Sequence, residues 1–243
     1  GIIKEKGLRA ADPFDEIIAR ARVLEADGRT TFQKLATLVA RTLASETGRG
    51  ADHFEQGFLE GTQLGATPVT GGVALPHLRL EGLRESHLVL VRSKSGLNLE
   101  LGTSIPGEHT AEQVHALFFM ASPEHDPAQH LRLLANLAGA VEQDGFMERW
   151  LEAEGPPELK DALLRSDHSI TVTITPRSEA GIWADKTIAS LGLPDGLLVA
   201  LIYRGDSRII PKGKTKLAQG DRVILIGEQD AISTLRSDLG QSH

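Results

Sequence analysis

The chain has 243 residues, no cysteine, a formal net charge of −7 and a pI near 5.7. Hydrophobic content of 40% beside 24% charged residues is that of a chain with real cores, enough for one large domain or two ordinary ones. These figures exclude disulfides and thiolate metal sites and argue against a nucleic-acid surface, which needs a basic stripe, while no apolar run reaches the ~20 residues of a membrane span.

Residues 1–11 carry mixed charge without periodicity and read as a tail or linker. The opening Gly1, in place of an initiating Met, leads us to expect a piece of something longer. Asp12 then caps a helix with Pro13 as its first residue, and Phe14, Ile17, Ile18, Ala21 and Val23 follow at helical spacing. Val23 and Leu24 form a short strand, and Gly28 turns the chain. Thr30 to Ser45 reads as a helix buried along Phe32, Leu35, Ala36, Leu38, Val39 and Leu43, with Gly48 as its stop. A second helix covers 52–63, with Phe54, Phe58 and Leu59 inward. Strands are expected at 72–75, 86–92 and 114–121, and residues 97–112 read as a polar loop or ragged hairpin.

The stretch Thr70-Gly-Gly-Val-Ala-Leu-Pro-His-Leu-Arg79 stands out. Paired glycines permit positive φ, three apolar residues make a short strand, and Pro76 ends it by removing a donor. His77 is thereby expected just past a strand end, with Arg79 two residues on. Imidazole is a competent nucleophile and guanidinium grips phosphate oxygens, so the pair suits phosphoryl chemistry; a histidine that simply caps a strand fits the same residues. Further on, Asp126 and Pro127 open a long helix buried along Leu131, Leu134, Ala135, Leu137, Ala138 and Val141. His130 falls near its first turn, where amides and the helix dipole favour an anion, or else packs over the cap. Helices at 146–153 and 158–164 complete this part. His87 and His115 read as sheet residues, and no histidine pair has metal-ligand spacing, so no metal is assigned.

The segment GGVALPHLR resembles the active-site segment of the fructose/mannitol-type enzyme IIA domains of the sugar phosphotransferase system and their nitrogen-regulatory relatives. The resemblance covers 12–165 and implies an α/β domain, helices around a mixed sheet. It also implies that His77 accepts phosphate from a small phosphocarrier protein and that His130 is the second active-site histidine. One departure is plain: where the family carries an Arg-Glu pair, this chain has Gly61 and Thr62. A lost charge-assisted contact to a phosphoryl oxygen is worth about 1.5–3 kcal/mol, which weakens the phosphocarrier reading.

Beyond 168 the texture changes. Ser169 to Thr175 alternates strictly, 186–191 is short and helical, 197–203 is a fully apolar strand, and Arg204 to Ser207 turn a hairpin into 208–210. A strand at 222–226 and a helix at 230–239 follow. The frame from Ile209 to Gly227 (IIPKGKTKLAQGDRVILIG) is similar to the C-terminal domain of regulators of K+ conductance, the TrkA C-terminal type, over 169–240. That resemblance implies a small α+β domain that dimerises beside cation channels and transporters, some copies binding cyclic di-AMP. Leu201 and Ile202 with Arg204 could stack a base and hold a phosphate, and the family places Ile210 and Pro211 at the ligand. A hairpin arginine in solvent over an ordinary core strand fits the same residues.

Together these readings lead us to expect a cytosolic, ligand-sensing regulatory module of a membrane ion or solute transporter. It would act in cis or in trans at the inner face of the cell membrane, as a homodimer gated by a small anion, cyclic di-AMP or another adenine nucleotide. No resident cofactor and no nucleic-acid partner are expected. The alternative is a phosphocarrier, with a phosphohistidine at His77 stabilised by His130 and a phosphocarrier protein as partner.

Overall fold

In the computed structural model the described residues are 13–63, 69–99 and 113–241, so the expected tail and most of the expected 97–112 loop lie outside them. The chain forms two compact units. One is Ala21–Pro156; the other joins the chain up to Arg20 with everything from Pro157 onward. Helix α1 (Pro13–Arg20) therefore belongs with the C-terminal segment, a different division from the expected 12–165 and 169–240.

The unit Ala21–Pro156 holds β1 (Arg22–Glu25), α2 (Phe32–Thr47), α3 (Ala51–Gln63), β2 (Val69–Thr70), β3 (Val73–Ala74), β4 (His77–Leu80), β5 (His87–Asn98), β6 (Gln113–Pro123), α4 (Pro127–Val141) and α5 (Phe146–Glu152). Its mixed sheet runs β1-β5-β6-β3-β2, with β4 also paired to β6. Local chemistry sets the helix ends. Thr31 caps α2 by accepting from Lys34 N, and Gly48 stops it at φ 70°, a conformation that costs a glycine nothing. One sheet face packs Val89, Val91, Leu117, Phe119 and Ala121 against Leu35, Val39, Phe54 and Phe58 of α2 and α3. Alternation along the strands turns Phe118 the other way, edge-on to Phe146 and Trp150 of α5. The sheet is thus the middle of three layers.

Two sequence expectations change here. Pro76 does not end the strand path: its carbonyl accepts from Met120 N at 2.9 Å, and His77 opens β4, which pairs with β6 in the same parallel register as β3. Proline removes a donor but keeps its acceptor, so the ladder resumes. The buried face of α4 is His130, Leu133, Leu137 and Ala140, and Leu131 is 66% exposed. The helix is apolar almost all round, which lets a 3.6-residue period fit two faces; packing against the sheet selects the one carrying the histidine.

The other unit contains α1, α6 (Pro156–Asp161, beginning at the boundary), β7 (Ser169–Thr173), β8 (Leu197–Arg204), β9 (Ser207–Ile209), β10 (Arg222–Gly227) and α7 (Gln229–Asp238). The expected helix at 186–191 is instead a single 3-10 turn, Ile188–Ser190, preceded by another at Glu179–Trp183. The sheet runs β7-β10-β8-β9, antiparallel throughout. Ile170, Val172, Val199, Ile202, Val223 and Leu225 pack with Ile232 and Leu235 of α7. A bulge at Ile224/Leu225 shifts the β8 register, so Val199 and Ile202, three residues apart, both reach this face. Ala200, Leu201, Ile224 and Ile226 are equally without exposure. They belong to the opposite face, where α1 packs on β8 and β10 with Phe14 and Ile18 inward. Lys160, fully buried, donates to Ala19 O at 2.7 Å and fastens the C-terminal turn of α1. Among the described residues no helix is long and apolar enough to cross a membrane.

Candidate active site

His77 is the first residue of β4 and half-buried. Its Nδ1 lies 2.9 Å from Leu75 O. A carbonyl only accepts, so Nδ1 carries the proton, and in the neutral ring the lone pair is on Nε2. The backbone two residues upstream thus fixes the tautomer and presents Nε2 as the nucleophilic atom. Arg79, two residues on in the same strand, points to the same side and is exposed.

His130 comes from α4. Its ring centroid is 5.3 Å from that of His77, with the planes tilted by 55°. Burial, followed by the charges of His77 and Arg79, lowers its pKa to about 4. His130 is therefore a neutral imidazole at ordinary pH, and its buried Nδ1 has no hydrogen-bond partner among the described residues. The start of α4 is less open to an anion than its sequence suggests. Asp126 Oδ1 accepts from Gln129 N at 2.9 Å, Asp126 O accepts from His130 N at 3.2 Å, and Pro127 has no N–H.

The position of the missing arginine can be read directly. A Cβ built on Gly61 would lie 3.7 Å from His77 O, ordinary contact distance, so this point of α3 borders the histidine and carries no side chain. Thr62 beside it is buried. Other histidines have local roles: His115 Nδ1 bonds Ser93 O at 3.0 Å, and His87 lies 3.8 Å from Glu46. Among the described residues no three His, Cys, Asp or Glu side chains gather as a metal site.

The structure brings His77, Arg79 and His130 together. Residues 27–166, more than half of the chain, match the phosphoenolpyruvate-dependent sugar phosphotransferase system EIIA 2 family. The chain belongs to that family. Residues 160–240 match the TrkA-C domain, so the EIIA 2 domain is followed by a TrkA-C domain. Among solved structures the chain is similar to the nitrogen regulatory protein IIA-Ntr from Neisseria meningitidis, with 21% identity and a TM-score of 0.54 over 63% of this chain and 100% of that one. It is also similar to a PTS IIA domain from Streptococcus pyogenes M1 GAS, with 17% identity and a TM-score of 0.50 over 63% of this chain and 96% of that one. At these identities the likeness shows the fold.

In the TrkA-C part the expected ligand residues are placed as follows. Leu201 and Ile202 are without exposure and face opposite sides of the sheet, so neither offers a surface for a base to stack on. Arg204 is bidentate to the fully buried Asp221, with Nε and Nη2 each 2.8 Å from a carboxylate oxygen, and Nη2 also donates to Lys216 O. Its guanidinium is engaged in holding the end of β8 to the start of β10. Ile210 is 52% exposed, and Pro211 follows half-buried at the end of edge strand β9. Sequence reasoning missed Ser122, which pairs with Arg79 across β4 and β6, and Ser86, just before β5, both buried with unpartnered hydroxyls. Lone serines at strand ends carry no periodic signal.

Proposed function

We propose that the chain is a regulatory module of a membrane ion or solute transporter, and that its EIIA 2 domain senses a small oxyanion at His77. The observation that carries this reading is the triad of Nε2 of His77, the exposed Arg79 and the neutral His130, beside a glycine at position 61. Such a site attracts an anion with one guanidinium and lacks a second with which to stabilise phosphoryl transfer. The TrkA-C domain supports a regulatory rather than a carrier role. The second reading, a phosphohistidine at His77, is favoured by the Nδ1–Leu75 O bond, which leaves Nε2 free to attack.

Native mass spectrometry separates them. The full chain is exposed to inorganic phosphate, to cyclic di-AMP and other adenine nucleotides, and to the phosphorylated phosphocarrier protein. Reversible phosphate binding, lost in Arg79→Ala and without covalent transfer, is the expected result. A covalent phosphoryl adduct that disappears in His77→Ala would replace the sensor with a phosphocarrier. A nucleotide adduct that survives His77→Ala would place the effector on the TrkA-C domain instead.

A further inference from the structure

In residues 21–156 the described buried side-chain atoms without a hydrogen-bond partner are Ser86 Oγ, Ser93 Oγ, Ser122 Oγ and His130 Nδ1. Three of these four fall at one place. Arg79 pairs with Ser122 across β4 and β6. On the other side of β6, His87 pairs with Ala121, and the antiparallel ladder continued by one residue brings Ser86 against Ser122. Arg79 and Ser122 thus lie side by side on β4 and β6, with Ser86, the residue before β5, next in line. The neighbouring row, about 7 Å along, is His77, Met120 and Leu88. Both rows are on the sheet face beneath α4, and His130 reaches down from that helix to His77.

Ser122 is fully buried, and Ser86 and His130 are nearly so, at 7% and 6% exposure. A buried hydroxyl without a partner costs about 1–3 kcal/mol, and two of them on a face that also carries Leu88, Leu90, Phe118 and Met120 need a reason. The polar side chains of these two rows, with His130, offer hydroxyl, guanidinium and imidazole donors and no carboxylate. Such a donor set fits a tetrahedral oxyanion with several acceptor oxygens. We infer that Ser122 and Ser86, with Arg79, form a hydroxyl-lined seat for a phosphate group beside His77, making the contacts that a guanidinium at position 61 would otherwise make. The inference rests on the oxyanion reading above and names the groups that hold the oxygens.

The test is the dissociation constant of inorganic phosphate for the full chain, by isothermal calorimetry, in Ser122→Ala, Ser86→Ala and Arg79→Ala, each with its thermal midpoint. Each serine variant is expected to bind about tenfold more weakly, with a midpoint equal to or above that of the parent, because a buried unpartnered hydroxyl has been removed. Serines with a purely structural role would give the opposite pattern, a lowered midpoint with affinity intact. Unchanged affinity in both serine variants, with binding lost in Arg79→Ala, would overturn the serine assignment and leave the oxyanion reading standing. A drop in affinity accompanied by a drop in midpoint also counts against it. No phosphate binding by the unaltered chain would overturn both.

Discussion

His130 lies over His77 at a ring separation of 5.3 Å, one imidazole sealed by α4 and the other half open to solvent. Two histidines this close cannot both carry charge cheaply, and the buried one stays neutral.

That neutrality has a pH signature. The folded pKa of His130, about 4, is below its ordinary 6.5. Folding therefore favours the neutral ring, whose contribution is complete above pH 6.5 and is lost as pH falls through 4. We expect the Ala21–Pro156 unit to lose about 3 kcal/mol across that window through this one residue. Urea midpoints measured from pH 7 to 4 should fall less steeply for His130→Leu than for the parent. Coincident slopes would show that His130 titrates normally.

Gly61→Arg restores a cation where the backbone already has room, since the new Cβ meets His77 O at 3.7 Å. Arginine is also the better helix former there. Phosphate should bind about tenfold more tightly, and transfer from a phosphorylated phosphocarrier should rise with it. Calorimetry and a phosphohistidine assay read the two effects separately, and no gain in either would mean that position 61 does not face the bound oxygens.

Lys160 is buried beneath α1, with its ammonium on Ala19 O and 5.0 Å from the Tyr203 ring centroid. Lys160→Ala removes both the packing of the stem and the charge-assisted bond, so the C-terminal unit should lose about 2–4 kcal/mol. Lys160→Met keeps most of the volume and should recover part of the loss. Chemical denaturation of the two variants decides this; equal losses would mean that the stem contributes nothing.

Arg204→Ala strands the carboxylate of Asp221, which is fully buried and keeps a bond from Ala218 N. A buried charge deprived of its partner costs about 3–5 kcal/mol, whereas Asp221→Asn combined with Arg204→Ala should cost less than Arg204→Ala alone. A double-mutant cycle on thermal unfolding measures the coupling, and additive losses would show that the pair is not energetically linked.

Much of this was legible in the residues. The helix cap at Asp126, the stop at Gly48 and the hairpin at Gly205 use local chemistry that a sequence displays. His77 and His130 were visible because each stands at a punctuated element start, next to proline or within a capped turn. What stayed hidden depends on distant partners. The buried face of α4 was chosen by the sheet beneath it, because Leu131 and Leu133 are equally apolar. Ser86 and Ser122 gain meaning only through strand register. Arg204 looked available because its partner, Asp221, is 17 residues away and set by an antiparallel pairing.

Helix α1 is the first described element of the chain, yet the strands it packs on come far later: Arg20 bonds Ala200 across 180 residues of sequence. On a ribosome extending the chain at roughly 5–20 residues per second, the helix must wait about 10–40 s for its sheet. Throughout that interval Phe14 and Ile18 have nowhere to go, while the whole histidine-bearing unit is synthesised and can fold in between. The histidine-bearing unit would then be mature before the other sheet can close, and the docking of α1 reports that the strands of that sheet have been made.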